Sequence, residues 1–355
     1  MNRSSELPCT QILVIKRDKL GDLILTSPLI ETLKESMPNA QVDLLAARFT
    51  LPVLAACPLV RRAIPLPKVR GVFGSLRGFQ LLFSLLRMRL RRYDWVISAG
   101  GEYSHRAIRL AIWVGAKRSV AFCPPELWKK YPALTDPISP QSVGHESRRM
   151  LELVRPISGQ AIFEKFPAPY PRVWLGRDAI KRADTFLLRY GLRSGGFVVI
   201  GLGARKAKRQ PSADQVIRWV DFIKNEVGLD VVLSFTPGKP ADPKYPEDGE
   251  CAAVIMRARP GVPPLAGSLE EALGVISLAK CSVIPDSGLM HAAAASPGGV
   301  VALFADPTRS PSPEQWGPIG PRVRIVVAKE SISSIEDEAI LTPLCQLLQA
   351  ESGAQ

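Results

Sequence analysis

The chain has 355 residues, of which 46% are hydrophobic and 22% are charged. This length and composition indicate a globular protein of about two domains and exclude a largely disordered one. The chain has 46 basic and 33 acidic residues, so its formal net charge is +13. Such a charge favours a polyanionic partner: nucleic acid, an anionic membrane face or a phosphorylated substrate.

The cysteines and the first residues indicate that the protein stays where it is made. Six cysteines are spread along the chain without CxxC spacing, which is typical of reduced thiols rather than of disulfides or a zinc site. The amino terminus lacks the apolar core of a signal peptide, and no run of 18 apolar residues predicts a membrane span. We therefore expect a cytoplasmic protein.

The first half of the chain alternates predicted strands with predicted helices. Short runs rich in β-branched residues predict strands over residues 11–16, 42–46, 63–66 and 95–98. Apolar positions at helical spacing predict helices over residues 23–36, 50–56, 76–92 and 105–114. This alternation is typical of a parallel sheet with helices on both faces.

A proline-rich segment separates this half from the next. Residues 155–174 contain four prolines, which interrupt regular structure and predict an inter-domain linker. Alternation then resumes, and strands are predicted over residues 197–202, 230–235, 282–284, 300–304 and 323–327. Helices are predicted over residues 214–226, with Asp214 as the N-cap, 270–279 and 335–349.

The fold class that follows is α/β, with two Rossmann-like domains facing one another. We expect an N-terminal domain over residues 1–165, a C-terminal domain over residues 174–334, and a closing helix over residues 335–355 that could pack back on the N-terminal domain. Ligands of such sheets bind beyond the carboxyl ends of the strands, so functional residues are expected in the loops that follow the strands.

The loop after the first strand brings Gly21 and Asp22 to the start of a helix. Glycine permits a tight turn there, and the aspartate fits either of two roles. It could cap the helix, or it could act as a general base at the carboxyl edge of the sheet. The local sequence alone favours the cap.

The loop after residues 197–202 combines small residues with four cations, Arg205, Lys206, Lys208 and Arg209. Such a loop can hold a diphosphate through backbone N–H groups and positive charge. It can equally be a solvated basic loop, and the residues alone favour neither interpretation. It is not a Walker P-loop, because GxxxxGK[ST] is absent.

The run PDSGLMHAAAA, residues 285–295, turns from a predicted strand into an alanine-rich helix. The turn at Asp286, Ser287 and Gly288 presents backbone donors to an anion. His291 is one of three histidines, and a lone histidine in such a helix is more often packed than catalytic. The spacing gives no Ser/His/Asp triad of a hydrolase.

Several of these segments together resemble one enzyme family. The run IKRDKLGDLILTSPLIETLKESMPNAQVDLL is similar to the opening motif of the ADP-heptose:lipopolysaccharide heptosyltransferases, glycosyltransferase family 9. IPDSGLMHAAAA, VVALFADPT and EQWGP are similar to its C-terminal signature, and HESRRMLEL and GARKAKRQP match in kind and order. The resemblance implies GT-B architecture, in which two Rossmann-like domains face each other across a cleft.

Carried over by position, the resemblance implies an acceptor-binding N-terminal domain in which Asp22 is the catalytic base. In the C-terminal domain it implies that Lys208 neutralises the leaving group, with Arg205 as a further phosphate ligand. Asp286 would hold the sugar hydroxyls and His291 would support the phosphate-binding turn. The remaining donor contacts implied are Ser287, Gly288 and Leu289 to the diphosphate and a backbone contact from Gly267 to adenine. Gln210 stands where the family often has an aromatic residue that braces the loop.

The implied reaction is an inverting transfer of heptose from ADP-L-glycero-D-manno-heptose to the inner core of lipopolysaccharide, of the Kdo-lipid A type. We expect no metal, because no DxD motif stands in a suitable loop, and no organic cofactor. An alternative keeps the fold but uses a UDP-linked hexose, as a transferase or an epimerase. A family member that only binds its ligands is a further alternative.

The segment over residues 76–92 mixes leucines with arginines. It could be a core helix with a basic end, or it could dock on an anionic membrane at the cytoplasmic face of the inner membrane. A nucleic-acid-binding protein would also explain the charge. We expect no nucleic-acid partner, because the chain lacks RNP aromatics, a helix-turn-helix and zinc spacing.

Overall fold

The structure is a computed structural model that describes residues 9–17, 19–66, 83, 86–141, 143–159, 168–204, 206–236, 248–306, 308 and 312–349. The chain divides into two compact units, Met1–Pro169 and Tyr170–Gln355. Within the described residues, each unit is built on a six-stranded parallel sheet.

The sheet of the N-terminal unit has the strand order β3-β2-β1-β4-β5-β6. Its strands are β1 (Gln11–Lys16), β2 (Gln41–Ala47), β3 (Val60–Leu66), β4 (Trp95–Ser98), β5 (Arg118–Phe122) and β6 (Asp136–Ile138). The helices are α1 (Leu20–Ile24), α2 (Ser27–Ser36), α3 (His105–Val114), α4 (Glu146–Leu151) and α5 (Arg155–Ser158). The strand order reverses between β1 and β4, which is where Rossmann-like sheets place their ligands.

The single helix expected over residues 23–36 is two helices. The first ends at Ile24, and α2 begins at Ser27 with Pro28 in its first turn. A proline has no N–H to donate within a helix, so it is tolerated in the first turn and interrupts a helix that would run through it. The short helix expected over residues 50–56 is a 3-10 helix, Arg48–Leu54, with Pro52 inside. Strands β5 and β6 were not among the predicted elements.

The sheet of the C-terminal unit repeats this pattern in the order β12-β11-β10-β7-β8-β9. Its strands are β7 (Phe197–Gly201), β8 (Asp230–Ser234), β9 (Pro264–Leu265), β10 (Cys281–Pro285), β11 (Val300–Ala305) and β12 (Val323–Ala328). The helices are α6 (Arg177–Tyr190), α7 (Ala213–Phe222), α8 (Asp248–Ala258), α9 (Leu269–Leu278), α10 (Gly288–Ala294), α11 (Pro313–Trp316) and α12 (Asp337–Gln349). The order reverses between β7 and β10.

One expectation for this unit needs correction. Asp214 does not cap α7: the N-cap is Ser212, whose Oγ accepts the Gln215 N–H at 3.2 Å. The closing helix α12 packs on the C-terminal unit, because its buried residues Ile340 and Leu344 belong to the same apolar cluster as the β11 side chains. Helices α6 and α8 were not predicted.

Of the basic segment over residues 76–92, the structure describes residue 83 and residues 86–92, and residues 86–90 are helical. Met88 is buried, whereas Leu86 and Leu90 are exposed. Among the described helices, none has both the length and the apolar composition that a membrane crossing needs.

Candidate active site

Asp22 lies just beyond the carboxyl end of β1. The chain leaves the sheet at Lys16 and enters α1 at Leu20, so that Asp22 stands in the first helical turn. The N-cap residue of α1 is Lys19, which makes no side-chain cap hydrogen bond, and the favoured interpretation of Asp22 as the cap is therefore wrong. Instead, Asp22 Oδ1 lies 3.4 Å from Lys16 Nζ.

A buried charged cluster surrounds this ion pair. Lys16 is 2% exposed, and its Nζ lies 3.9 Å from the sulfur of Met150 on α4. At the start of the same helix, Glu146 is equally buried, and its Oε1 accepts the Gly101 N–H at 2.7 Å. Arg149 Nη1 lies 3.8 Å from Glu146 Oε2.

Opposing effects act on Glu146. Burial raises the pKa of its carboxyl group above the ordinary glutamate value, and Asp22 also raises it. Lys16, the Gly101 N–H and Arg149 lower the pKa but do not cancel that rise. The sequence analysis did not single out Glu146, although the segment HESRRMLEL that contains it contributed to the family resemblance. No pattern in that segment indicates which of its charged residues faces the core.

In the C-terminal unit, the basic loop follows β7 and forms a short 3-10 turn, Ala207–Arg209. Lys208 Nζ lies 3.0 Å from Asp306 Oδ2, just beyond the end of β11. Gln210 braces the loop, because its Nε2 donates to the Ala204 carbonyl at 2.9 Å. The amide thus replaces, by a hydrogen bond, the bracing that the family resemblance assigned to an aromatic residue. Arg205 lies outside the described residues.

Asp306 is held by more than Lys208. A hydrogen bond from the Thr308 hydroxyl and one from Lys208 lower the pKa of the Asp306 carboxyl to about 2. The residue adopts a positive φ of 54°, which is uncommon for residues other than glycine but tolerated by aspartate. The Asp306 carboxylate is therefore ionised and fixed beside the loop cation.

The turn after β10 carries the remaining acidic residue of this edge. Arg209 Nη1 lies 2.8 Å from Asp286 Oδ2, and both side chains are largely buried. Ser287 is the N-cap of α10 but makes no side-chain cap hydrogen bond. Gly288 and Leu289 form the first turn of α10, and His291 is buried on the same helix.

The structure thus brings Lys208, Asp286 and the Ser287–Leu289 turn together at the carboxyl ends of β7, β10 and β11. Gly267 follows β9, two strands from β7 along the same edge, and precedes α9. A Cβ on residue 267 would overlap with the carboxylate of Glu271. The Glu271 side chain therefore lies directly against the backbone of Gly267.

A buried carboxylate at this edge was also missed by the sequence analysis. Asp248 is fully buried at the start of α8, where its Oδ2 accepts the Thr236 N–H at 3.0 Å. Burial raises the pKa of its carboxyl group. A Cβ on Gly203 would lie 3.0 Å from the same oxygen, so the loop after β7 runs close to it.

The described residues contain no group of three or more histidine, cysteine, aspartate or glutamate side chains placed to hold a metal ion. Within each of the two sheet edges, the charged groups described above pair with neighbours of the same unit instead. Such an arrangement suits an anionic ligand held by lysine, arginine and backbone N–H groups, and a carboxylate that accepts a proton.

Comparison with known proteins finds heptosyltransferases among the similar proteins. The model of glycosyltransferase family 9 (heptosyltransferase) matches residues 223–342. Lipopolysaccharide heptosyltransferase 3 of Escherichia coli K12 is 27% identical over 291 residues, which cover 80% of this chain and 79% of that relative.

Solved structures of similar proteins match nearly the whole chain. The structure of E. coli ADP-heptose lps heptosyltransferase II has a TM-score of 0.74 at 22% identity, covering 96% of this chain and 98% of that one. E. coli heptosyltransferase WaaC with ADP has a TM-score of 0.74 at 17% identity, covering 95% of this chain and all of that one. The predicted GT-B fold, with two Rossmann-like units, is thereby confirmed.

Proposed function

We propose that the chain is a member of glycosyltransferase family 9 and an inverting glycosyltransferase that moves heptose from ADP-L-glycero-D-manno-heptose to the inner core of lipopolysaccharide. The relatives support this donor and acceptor class, since the similar E. coli K12 protein is named for lipopolysaccharide and WaaC was solved with ADP. The observation that carries the proposal is that the basic loop reaches two strand ends of one sheet edge, through Lys208 to Asp306 and through Arg209 to Asp286.

The donor diphosphate is bound by the basic loop and the turn that begins α10. Lys208 neutralises the phosphates, and Asp306 holds the lysine side chain in place before the donor arrives. The N–H groups of Gly288 and Leu289 lie in the first helical turn, where they have no partner within the helix. The Ser287 hydroxyl makes no capping hydrogen bond to α10, so it can donate a hydrogen bond to a phosphate oxygen.

The rest of the donor is bound around this turn. Asp286 accepts hydrogen bonds from the sugar hydroxyls, while Arg209 occupies one of its oxygens and orients the carboxylate. The buried His291 supports the turn from below. Gly267 contacts adenine through its backbone, and Arg205 is a further phosphate ligand in the same basic loop.

The transfer proceeds in one displacement. Asp22 removes the proton of the acceptor hydroxyl as its oxygen bonds to C1 of the heptose. The bond from C1 to the phosphate oxygen breaks on the opposite face through an oxocarbenium-like transition state, and ADP leaves with that oxygen. Negative charge grows on the departing diphosphate, where the fixed Lys208 ammonium stabilises it most.

Calorimetry with ADP, UDP and GDP tests the donor assignment. We expect ADP to bind best to the wild-type protein and Lys208→Ala to weaken that binding. Lys181→Ala, which removes an exposed lysine from α6, serves as the matched control and should bind ADP as the wild type does. Preference for UDP would favour the hexose-donor alternative, and absence of nucleotide binding would contradict the proposal.

The acceptor is carried by a membrane, and we place the enzyme at the cytoplasmic face of the inner membrane. The described part of the basic helix supports peripheral contact: Leu90 is 80% exposed, and Leu86 and Phe83 are also exposed. The Arg87 guanidinium lies 4.2 Å from the centre of the Phe83 ring. Exposed apolar side chains among arginines suit an anionic lipid surface.

Vesicle sedimentation at low salt tests this contact. The wild type should sediment with phosphatidylglycerol vesicles more than with phosphatidylcholine vesicles. The Leu86→Ser/Leu90→Ser variant should lose most of that difference. Leu188→Ser, which changes a leucine that is 84% exposed in the other unit, should keep it. Equal sedimentation of all three proteins would contradict a membrane role for this helix.

A further inference from the structure

The buried lysine at the end of β1 needs a counter-charge throughout the reaction. Lys16 is 2% exposed and lies 3.4 Å from Asp22. An ammonium group without a partner in the protein interior costs several kcal/mol. If Asp22 alone compensated Lys16, protonation of Asp22 during catalysis would leave the buried cation unbalanced. The step would then be opposed by the same ion pair that holds Asp22 in place.

Glu146 is built into the structure as a second carboxylate at this position. It lies four residues before Met150 on α4, so that both side chains project from one face of the helix, and Met150 contacts Lys16. Its Oε1 accepts the N–H of Gly101, which follows β4, the strand next to β1. The carboxylate is therefore fixed at the same sheet edge as Asp22.

The other oxygen of Glu146 is left for an electrostatic role. Within the described part of the chain, the buried Oε2 accepts no hydrogen bond, and Arg149 Nη1 lies 3.8 Å from it. Any side chain on residue 101 would overlap with Glu146, so a glycine is required there for the carboxylate to approach the backbone. Burial of an ionised carboxylate with one oxygen that accepts no hydrogen bond costs free energy of folding. Stability alone therefore does not explain why Glu146 occupies this position.

We propose that Glu146 is a positioning residue for glycosyl transfer: it neutralises Lys16, so that the negative charge of Asp22 remains available for the acceptor proton. The inference rests on the proposed function of Asp22 as general base. Glu146 acts through Lys16 and does not itself touch the substrate.

The charges balance only when Glu146 is ionised. Lys16, Asp22 and Glu146 together carry one net negative charge before proton transfer and none after it. Arg149 and the exposed Glu102, 3.9 Å from Arg149, have opposite signs and leave this difference unchanged. With a neutral residue at position 146, the same step would begin neutral and end with a buried positive charge, which disfavours it.

The electrostatics of Glu146 agree with this placement. Although burial raises the pKa of the Glu146 carboxyl, the foremost effect that lowers it comes from Lys16, ahead of the Gly101 N–H and Arg149. Asp22 raises it, as expected of two carboxylates that lie near one another.

The test is the pH dependence of kcat/KM for Glu146→Gln with ADP-heptose and a heptose-free Kdo-lipid A acceptor. The amide preserves the shape of the side chain and can accept the Gly101 hydrogen bond, but it removes the charge. We expect the acidic limb of the profile to move about one unit to lower pH and the plateau kcat to fall about tenfold. ADP affinity should stay unchanged. Glu102→Gln, a change at an exposed carboxylate, should keep the wild-type profile.

A charge-balanced variant guards against a mere folding defect. Lys16→Gln/Glu146→Gln removes both charges, so the net charge of the site again changes from one negative to zero on proton transfer. Its acidic limb should return to within a few tenths of a unit of the wild type, whereas Lys16→Gln alone should move the limb to higher pH.

The outcomes separate this inference from the proposed function. An active Glu146→Gln enzyme with an unshifted limb, beside an Asp22→Asn variant that has lost activity, would overturn the role of Glu146 alone. A fully active Asp22→Asn variant would overturn the general base and the inference with it. A double variant whose limb stays as displaced as that of Glu146→Gln would also overturn the charge argument.

Discussion

Asp306 is a single residue that joins the end of β11 to the basic loop after β7. Its carboxylate pairs with Lys208 and accepts the Thr308 hydroxyl, and its pKa is lowered to about 2 from an ordinary value of 3.8. A carboxyl group whose pKa is lowered by folding stabilises the folded state above its ordinary pKa and loses that contribution as the pH falls through the lowered value.

Asp306→Asn should therefore destabilise the protein in a pH-dependent way. We expect the difference in urea midpoint between wild type and variant to be present at pH 7 and to shrink as the pH falls from about 4 towards about 2, where the wild-type carboxylate is itself protonated. Unfolding followed by fluorescence at pH 7, 5, 4 and 3 measures it. A difference that stays constant over this range would show that the ion pair does not contribute as described.

The residues of the candidate site were predictable to different degrees. Asp22 follows Gly21 and Asp286 lies two residues before Gly288, each in a loop that follows an apolar strand run, and this local pattern marks the carboxyl edge of a sheet. Glu146 and Asp248 have no such pattern, because their burial depends on partners distant in sequence. The hydrogen bond from Gly101 to Glu146 joins residues 45 positions apart, and a single sequence does not reveal that pairing.

Among the elements, β2 and β3 are joined by a fully buried carboxylate. Asp43 on β2 receives hydrogen bonds from Arg61 on β3 at 2.8 Å, from Arg91 at 3.2 Å and from the Tyr93 hydroxyl at 2.7 Å. Burial would raise the pKa of Asp43, but the bonds from Arg61 and Tyr93 outweigh it and lower the pKa below its usual value. Burial also raises the pKa of Tyr93 to about 12.

Asp43→Asn should destabilise the N-terminal unit because it leaves two arginines without their shared anion. We expect a loss of about 3 kcal/mol in the free energy of unfolding, at the lower end for a broken buried pair since both arginines partly reach solvent. The lowered pKa places this stabilisation above the ordinary pKa of aspartate, and it should fade as the pH drops below that value.

Denaturant unfolding of the variant at neutral pH measures the loss, with Asp184→Asn as the control. Asp184 is an exposed aspartate on α6, and its replacement should change stability by less than about 0.5 kcal/mol. Equal stability of Asp43→Asn and the control would mean that the network adds nothing to the pairing of β2 with β3.

The predicted elements agree with the structure where the chain carries a continuous pattern. The apolar run QILVIK is strand β1 to the residue, and so are the predicted bounds of β4 and α3. Helix α6 also carries a legible pattern, with buried Ala179, Ala183 and Phe186 at helical spacing, although it was not among the predicted elements. The three-residue β6 and two-residue β9 are too short for a period to appear, and both contain proline.

At the scale of the whole molecule, the same strand order occurs twice. In each unit the order reverses beside the first strand, between β1 and β4 and between β7 and β10. The two strands that flank a reversal point carry their following loops to opposite faces of the sheet, and a crevice opens between those loops at the carboxyl edge. Loops that are far apart in sequence therefore border the same sheet edge. The fold class was predictable from alternation alone, whereas the partners within each edge required the three-dimensional register.

The net charge of +13 also belongs to the whole molecule and bears on how it meets its substrates. Both the proposed nucleotide-linked donor and the proposed inner-core acceptor are anionic, so a positively charged protein attracts them over distances beyond direct contact. Salt shortens that range, since the Debye length falls from about 10 Å at 0.1 M to about 3 Å at 1 M.

We therefore expect kcat/KM for the acceptor to fall about tenfold between 50 mM and 500 mM NaCl, while kcat at saturating acceptor changes much less. Steady-state rates across that series, at fixed saturating ADP-heptose, measure the effect. Sucrose at matched osmolality is the control, because it changes water activity without screening charge. A kcat/KM that falls equally in sucrose would show that the decrease has another cause, and one independent of salt would mean that the positive surface does not steer the acceptor.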